Sequence, residues 1–407
     1  MSGSGYLERL LDGTAVEWVP LGEVTSYEQP TAYLVKSAIY HDSFPTPVLT
    51  AGKTFILGYT NENDGIYPAS RYPVIIFDDF TTANKWVDFD FKAKSSAMKM
   101  IASSDGKRFS LKYVYYWLNT LPNEAAESDH KRHWISDFCS KQIPIPCPEE
   151  PQKSLAIQAK IVQILDTFTA LKEELTQELV ARKTQYKHYL NQLLGFDGAD
   201  VEWKTLGEIG EFIRGKRFTK ADYVDEGISA IHYGEIYTHY GTFACETHSK
   251  VKPALESSLR FAQKGDVIVT GVSETVEDVG KALAWLGEER VAFHDDSYAF
   301  RHEMNPKFIA YAMQTDAFQD QKTQYVSTGK MKRLLIDGIR KVKLPIPFPN
   351  DPDKSLAEQA RIVSILDKFE TLANSLTSGL PREIALRQKQ YEYYRNLLLS
   401  FPKGDQA

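Results

Sequence analysis

The sequence predicts an α+β protein in which two β-rich domains alternate with two long antiparallel coiled-coil helices, forming a pseudo-two-fold circular repeat. Three observations predict it: a helical block that occurs twice, an uninterrupted apolar seam within that block, and short β-branched runs in the segments between. The block begins as Ile143-Pro144-Ile145-Pro146-Cys147-Pro148 and continues through Lys153-Ser154-Leu155-Ala156, Gln158-Ala159, Ile161-Val162, Ile164-Leu165-Asp166 and Phe168. It recurs 201 residues on, as Leu344-Pro345-Ile346-Pro347-Phe348-Pro349, Lys354-Ser355-Leu356-Ala357, Gln359-Ala360, Ile362-Val363, Ile365-Leu366-Asp367 and Phe369. Repetition at this scale is the first thing to read in a chain, because each copy is one structural unit.

The seam runs Ile161, Ile164/Leu165, Phe168, Leu171, Leu175, Leu179, Tyr186, Tyr189, Leu193. Its spacing of three and four is that of a coiled coil. Neither Gly nor Pro interrupts it between Lys153 and Leu194. The steps Leu171, Leu175, Leu179 form a stutter that relaxes the supercoil, and Leu372, Leu376, Leu380 repeat it. In the second copy Gly379 and Pro381 follow, where a missing N–H and a ring clash should kink or break the helix. About 40 residues at about 1.5 Å rise make a rod of roughly 60 Å, which suits a spacer.

Other repeated blocks have different offsets. Val16-Glu17-Trp18 with Leu21-Gly22-Glu23-Val24 returns 185 residues later as Val201-Glu202-Trp203 with Leu206-Gly207-Glu208-Ile209. Tyr6-Leu7 and Leu10-Leu11 echo Tyr189-Leu190 and Leu193-Leu194, so the chain starts in mid-repeat, like a circularly permuted dimer. Three weaker pairs link the diverged segments: Asp78-Asp79 with Asp295-Asp296, Lys112-Tyr113-Val114 and Tyr116 with Lys307-Phe308-Ile309 and Tyr311, and Lys131-Arg132 with Lys332-Arg333. The expected organisation is residues 1–15 completing the helical repeat, a first variable domain at 16–150, a helix at 151–197, a second variable domain at 198–350 and a second helix at 351–407. Runs such as Pro73 to Phe77 and Asp266 to Thr270 predict strands in the variable domains.

Composition excludes several classes. With 43% hydrophobic and 25% charged residues and no apolar run near the about 18 residues that span a bilayer, no membrane protein is expected. No secretory pattern marks Met1 to Leu11, and the expected compartment is the cytoplasm. Cys139, Cys147 and Cys245 form no CxxC pair and read as structural rather than as zinc ligands or a disulfide framework. Ala51-Gly52-Lys53-Thr54 resembles the end of a phosphate-binding loop, but Pro47 stands where the earlier glycine is needed. Asn305-Pro306-Lys307-Phe308 reads as a structural segment. No HExxH or GxSxG is present, so catalytic and metal-ligating residues are expected to be none.

What remains is a reader with two different heads, as palindromic dimers read two half-sites a fixed distance apart. Candidate DNA contacts are polar runs beside strands, where Arg, Lys and Asn reach base edges and Ser or Thr hold phosphates. In the first domain these are Lys53 and Thr54; Thr81, Thr82, Asn84 and Lys85; Lys94, Ser95 and Ser96; and Lys131 with Arg132. In the second they are Lys216, Arg217 and Lys220; His232, Tyr233 and Tyr237; Ser273 and Glu274; Thr328 and Lys330; and Lys332 with Arg333. Lys131-Arg132 and Lys332-Arg333 occupy equivalent places, which suits a grip on phosphate that ignores sequence. The net charge of −6 is unusual for a DNA-binding chain, so local patches and partner subunits must supply the attraction.

The whole chain resembles the specificity subunits of type I restriction-modification enzymes. The likeness is strongest at Lys-Ser-Leu-Ala, Gln-Ala, Ile-Val, Ile-Leu-Asp and Phe before the tetrapeptides, and from Leu380-Pro381-Arg382-Glu383-Ile384 to Tyr394. The tetrapeptides, and the stretch from Ile75 to Lys85, resemble the IC branch. This resemblance implies a non-catalytic subunit with two target-recognition domains, bound to double-stranded DNA and directing partners to methylate adenine or cleave DNA. The implied partners are two methyltransferase subunits and two restriction/translocase subunits. S-adenosylmethionine, ATP and Mg²⁺ would be held by those partners and no cofactor by this chain. Two rival readings are a subunit serving one partner that both methylates and cuts, and a coiled-coil scaffold that binds no DNA.

Overall fold

The computed structural model describes residues 4–52, 54–122, 132–196, 200–374 and 379–401. The chain forms two compact units: Met1–Glu173 with Leu386–Ala407, and Glu174–Ala385.

In the first unit α1 (Ser4–Leu11) leads to β1 (Val16–Pro20), the single turn α2 (Leu21–Val24) and β2 (Thr25–Glu28). There follow β3 (Thr46–Leu49), β4 (Ile56–Thr60), β5 (Val74–Asp78), β6 (Asn84–Val87), β7 (Lys92–Ala93) and β8 (Met98–Ser103). Then come α3 (Leu111–Leu118), the turn α4 (His133–Ser136), β9 (Gln142–Pro146) and the start of α5 (Pro151–Gly195). The central sheet has the order β2-β8-β5-β6, beside a three-stranded sheet β4-β3-β7 and the ribbon β1-β9.

The second unit begins with the rest of α5, then β10 (Val201–Thr205), α6 (Leu206–Ile209), β11 (Gly210–Arg214), β12 (Tyr223–Ile231) and α7 (Tyr233–Thr238). Next are β13 (Phe243–Ala244), β14 (Ser249–Val251), β15 (Phe261–Ala262), β16 (Val267–Thr270), β17 (Val272–Ser273), β18 (Ala282–Trp285), β19 (Val291–Phe293) and β20 (Ser297–His302). It continues with α8 (Pro306–Ala312), α9 (Asp316–Thr323), β21 (Lys332–Arg333), α10 (Ile336–Ile339), β22 (Lys343–Pro347) and α11 (Pro352–Asn374). Here the central sheet is β11-β20-β16-β18-β13, joined by a second sheet β14-β12-β19-β15 and the ribbons β10-β22 and β17-β21. α12 (Leu380–Leu398) returns the chain to the first unit.

The central sheets share one register. Thr25 pairs with Ser103 and Asp78 with Met98 in the first unit; Gly210 pairs with His302 and Thr270 with Ser297 in the second. This corrects one expected landmark. Asp79 follows β5 and donates its N–H to Ala97 O at 3.1 Å, whereas Gly271 follows β16 and donates to Asp296 O at 2.7 Å. The counterpart of Asp79 is therefore Gly271, and Asp295-Asp296 stand where the first unit has Ser96-Ala97. The shared Asp-Asp dipeptide is coincidental, because two acidic residues after an apolar run mark a strand end without saying which strand.

The landmark that pairs Lys112-Tyr113-Val114 and Tyr116 with Lys307-Phe308-Ile309 and Tyr311 holds. α3 and α8 occupy the same place, and Asn305 is the N-cap of α8, its Oδ1 accepting from Lys307 N at 3.0 Å. Such a cap satisfies a helical N–H that has no partner within the helix. Each long helix opens with proline at its first position, Pro151 and Pro352, after a residue held at φ +49, Cys147 and Phe348. Proline there loses nothing, since that N–H has no partner in the helix anyway.

α5 is one continuous helix of 45 residues, about 68 Å at about 1.5 Å per residue. Its buried side chains lie near its two ends: Ser154, Ile157, Gln158, Ile161 and Leu165, then Tyr186, Leu190 and Leu194. From Asp166 to Gln185 none is buried, and Leu171, Leu175 and Leu179 are half-buried. The second helical stretch is divided between α11 and α12. Gly379 adopts φ +92 and Pro381 becomes the second residue of α12. α5 passes from the first unit to the second and α11–α12 from the second to the first, so the two stretches run in opposite senses. Within the units Phe168 stacks on Tyr394 at 5.2 Å, and Tyr189 on Phe369 at 5.0 Å. These are the same pair of repeat positions with the roles of the two stretches exchanged. No described helix is long and apolar enough to cross a membrane.

Each unit has its own core. One gathers Leu7, Leu11, Ile75, Ile101, Tyr113, Ile161, Leu165 and Leu398; the other Leu190, Leu194, Val267, Phe308, Ile309, Ile362 and Leu366. His302 borders the second, and burial pushes its imidazole from 6.5 down to about 4. Its Nδ1 accepts from Met304 N at 3.1 Å. Between those two values the unfolded chain binds a proton that the folded chain does not. The contribution is therefore complete above the upper value and is lost as pH falls toward the lower one. His302→Asn, whose Oδ1 can accept from the same N–H, is predicted to flatten the decline of melting temperature with pH across that window; a decline as steep as in the parent would refute this.

Candidate nucleic-acid interface

In the second unit the C-terminal ends of β11, β12, β16 and β19 converge with the start of β20. Gly215 N donates to Ser297 O at 3.0 Å and Lys216 N to Phe293 O at 3.1 Å. A side chain at Gly215 would put its Cβ 2.1 Å from His294 O, so only glycine permits this approach. His294 N reaches Ile231 O at 3.2 Å, tying the loop after β19 to the end of β12.

His232 caps α7 through Nδ1, 3.1 Å from Gly234 N. Its ring lies 4.4 Å from that of His294 and 4.5 Å from that of Tyr233. Burial first, then the neighbouring imidazole, holds His232 below the ordinary range. Burial also depresses His294, against the opposing pull of Asp295 and Asp296. Arg214 Nε donates to Asp295 O at 2.9 Å and its Nη2 lies 3.7 Å from the Asp295 carboxylate. Arg333 Nη1 lies 3.6 Å from Asp296. His294, Asp295 and Asp296 are the one described group whose ligand atoms would suit a cation, but both carboxylates already face an arginine.

The ribbon β17-β21 sets Ser273 opposite Lys332 and Val272 opposite Arg333. This end thus assembles Lys216, Arg217, His232, Tyr233, Ser273, Lys332 and Arg333 from four stretches of sequence. Arg217, Lys216, Glu274, Thr328 and Lys330 are exposed. Lys220 lies in an exposed 3-10 turn, close enough to act on His232. Tyr237 and Ser273 are tied inward. The Tyr237 hydroxyl donates to Thr270 Oγ1 at 2.6 Å, and burial pushes it up to about 12; Ser273 is 7% exposed.

The first unit builds its equivalent end around Asp79. Its carbonyl accepts from His133 N at 2.9 Å, its Oδ1 from Trp134 N at 2.8 Å, and its Oδ2 lies 3.4 Å from the buried Lys99 Nζ. Arg132, exposed, stands at the N-cap position of α4 directly before that bond. In the second unit Leu334 N donates to Gly271 O at 3.0 Å, directly after Arg333. Arg132 and Arg333 are therefore equivalent in three dimensions. Lys53 and Lys131 lie outside the described residues.

Thr81 and Thr82 form the β5–β6 turn, held by Asp78 Oδ1, which accepts from Phe80 N and Thr81 N at 2.9 Å. Thr82 is buried at φ +59 and belongs to the turn itself. Asn84 accepts from Asn119 Nδ2 at 3.2 Å beside a cleft of about 280 Å³ that also includes Phe138 and Arg395. Lys85 is exposed on β6. Lys94 donates to Tyr40 Oη at 3.0 Å, and Ser95 and Ser96 are exposed in the β7–β8 loop. Thr54 is exposed beyond β3, its carbonyl accepting from Thr50 Oγ1.

Sequence reasoning missed His294, Asp295, Asp296, Arg214 and Asn119 as members of these ends. His232 and His294 meet only because β12 and β19 run parallel side by side. The sequence carried no signal for this, because its block alignment set Asp295-Asp296 against Asp78-Asp79, and only the hydrogen-bond register places His294-Asp295 opposite Ser95-Ser96.

Two β-rich units, each with a basic and polar end carrying a structurally equivalent arginine, define a two-headed reader. A family model described as a type I restriction modification DNA specificity domain matches residues 199–386. Over 412 aligned residues, covering 100% of this chain and 99% of the relative, the chain is 52% identical to the specificity subunit of the type I restriction enzyme EcoR124I/EcoR124II of Escherichia coli. It is 30% identical to a putative type I restriction enzyme specificity subunit of Haemophilus influenzae, over 97% of this chain and 98% of that one. The solved S subunit of a type I restriction-modification system from M. genitalium shares the fold, with a TM-score of 0.56 at 14% identity over 96% and 98% of the two chains.

The chain belongs to the type I restriction enzyme specificity subunits. It is a non-catalytic subunit that determines the DNA target sequence and acts with DNA and with partner subunits, which carry the catalysis.

Asp79 organises the first end, and removing its carboxylate strands the buried Lys99 ammonium. Asp79→Ala is predicted to destabilise the protein by about 3–5 kcal/mol, measured by denaturant titration. A loss below about 1 kcal/mol, the ceiling typical of exposed pairs, would contradict this account of the turn.

Proposed function

We propose that this subunit reads a bipartite, asymmetric DNA target, one half-site per unit, with a fixed spacer between. The observation that carries the reading is the equivalence of Arg132 and Arg333, each beside the same backbone hydrogen bond after a central strand, while the loops around them differ. An invariant cation suits phosphate, which looks alike at every sequence; differing loops suit bases. The long α5 supports the spacer role, because a helix of constant rise translates residue count into distance. Two methyltransferase subunits and two restriction/translocase subunits complete the assembly in the cytoplasm. S-adenosylmethionine, ATP and Mg²⁺ are bound by them and no cofactor by this chain.

Arg214 and Arg333 already face carboxylates, and the chain is acidic overall. Binding by this subunit alone is therefore weak, and the complex supplies most of the attraction.

Genome-wide detection of N6-methyladenine tests the reading, comparing cells that hold this chain and its methyltransferase with cells holding the methyltransferase alone. A two-part motif that depends on this chain is expected; no motif despite complex formation would favour a scaffold without DNA contact. Adding one tetrapeptide at Leu175 lengthens the helix by about 6 Å and should widen the spacer while both half-sites stay the same. Arg132→Ala and Arg333→Ala should each weaken DNA binding by the complex at all sequences alike and lower the salt slope by about 1. A change of motif in either variant would instead make that arginine a base reader.

A further inference from the structure

The polar contacts that join α3 to α5, and α8 to α11, recur in both units. Ser110 N donates to Gln158 Oε1 at 2.8 Å, and Gln158 Nε2 to Ser154 Oγ at 3.0 Å. Asn305 N donates to Gln359 Oε1 at 2.9 Å, and Gln359 Nε2 to Ser355 Oγ at 3.0 Å. Two turns further along, Lys112 Nζ lies 3.0 Å from Asp166, which also accepts from the Tyr116 hydroxyl. Lys307 Nζ lies 2.5 Å from Asp367, which accepts from the Tyr311 hydroxyl at 2.7 Å.

The lysine and tyrosine of each clamp recur at an offset of 195 residues and the aspartate at 201, so the contact is kept although the chain between its two halves differs in length. Lys112 and Asp166 are both about one-third exposed. Pairs of this kind add little stability, and apolar packing on the same faces would hold the helices as firmly. Polar contacts add direction. One contact point leaves a helix free to swing; a second, about 12 Å along the axis, stops the rotation. α3 and α8 in turn pack on the central sheets, Tyr113 sharing one core with Ile75 and Phe308 the other with Val267. Whatever fixes these helices on α5 and α11 also aims the strand ends beside which Arg132 and Arg333 lie.

We infer that the Lys-Tyr-Asp clamps, Lys112-Tyr116-Asp166 and Lys307-Tyr311-Asp367, are positioning residues that set the direction in which each unit presents its reading end, and so the half-site spacing the subunit accepts. The inference rests on the bipartite reading proposed above. The second clamp has an additional arm. Glu370 accepts from Tyr311 Oη at 2.6 Å, and from Thr242 N and Oγ1 at 2.8 and 2.6 Å. The matching residue of α5 is Thr169, whose hydroxyl donates back to Leu165 O at 3.0 Å and lies 3.4 Å from the Tyr116 hydroxyl, a longer contact than the 2.6 Å between Tyr311 and Glu370. The third arm of the first clamp is thus the weaker of the two.

The experiment uses the assembled methyltransferase complex and duplexes that carry both half-sites at the native spacer, or with one base pair added or removed. The parent should methylate the native spacer strongly and the others poorly. Tyr116→Phe and Asp166→Asn should narrow that preference by about three- to tenfold, because a misaimed head costs most where alignment is strictest. Both half-sites should stay unchanged, and Tyr311→Phe should narrow the preference less. Lys112→Arg should retain the parental preference and Lys112→Met should lose it. A uniform loss at every spacer, or an unchanged preference, would overturn the inference and leave the clamps as ordinary structural contacts. A parent that accepts all spacers equally would overturn the bipartite reading itself. If Asp166→Asn fails to fold, Tyr116→Phe, which keeps the ion pair, still decides the question.

Discussion

Gln158 and Gln359 are buried near the starts of α5 and α11, and a buried amide must make its hydrogen bonds inside the protein. Each finds a serine hydroxyl one turn back and the backbone N–H of the residue that caps a helix from the β-rich part. Only one placement of α3 or α8 meets that demand. The central sheet, packed on the other face of that helix, follows the placement. Large changes elsewhere in the two variable segments leave this attachment intact, since it needs only an N-cap N–H, a lysine and a tyrosine at fixed helical positions.

Differences between the units therefore accumulate at the opposite ends of the strands. After β16 the chain passes Gly271 and pairs β17 with β21, whereas after β5 it makes the Asp78–Ala83 turn around buried Asp79. Where one unit has exposed Ser95 and Ser96, the other has His294 and Asp295 facing Arg214 and His232. Serine presents a small group that donates or accepts; the second loop presents carboxylates already neutralised by arginine. A carboxylate near DNA is repelled by phosphate, and the adjacent guanidinium offsets that repulsion. The overall charge of −6 is thus compatible with the function, because the fields that matter are local and already paired.

Much of the architecture was legible because helical periodicity and repetition are written along the chain. The seam from Ile161 to Leu193, the break at Gly379 and Pro381, and the equivalence of Arg132 with Arg333 all follow from residue order. The candidate site was legible only in part. Tyr237, Thr82 and Ser273 look like surface groups in sequence, yet each is turned inward. His232 and His294 are far apart in the chain and meet through a parallel strand pair. The Asp-Asp match failed because strands carry little positional information: a short apolar run ending in acid fits β5 and β19 alike, and only hydrogen-bond register distinguishes them.

By itself the sequence determined the alternation of two variable and two helical segments, and the absence of a recognisable catalytic apparatus. These depend on local periodicity and on the presence of particular residue types, both of which survive without knowing where the chain folds back. Tertiary structure decided which strand ends share a face, which polar side chains are spent on the fold, and that the repeated Lys, Tyr and Asp form one clamp. Those are long-range pairings, chosen by sheet register and by the need of buried polar groups for partners, and neither leaves a periodic mark on the chain.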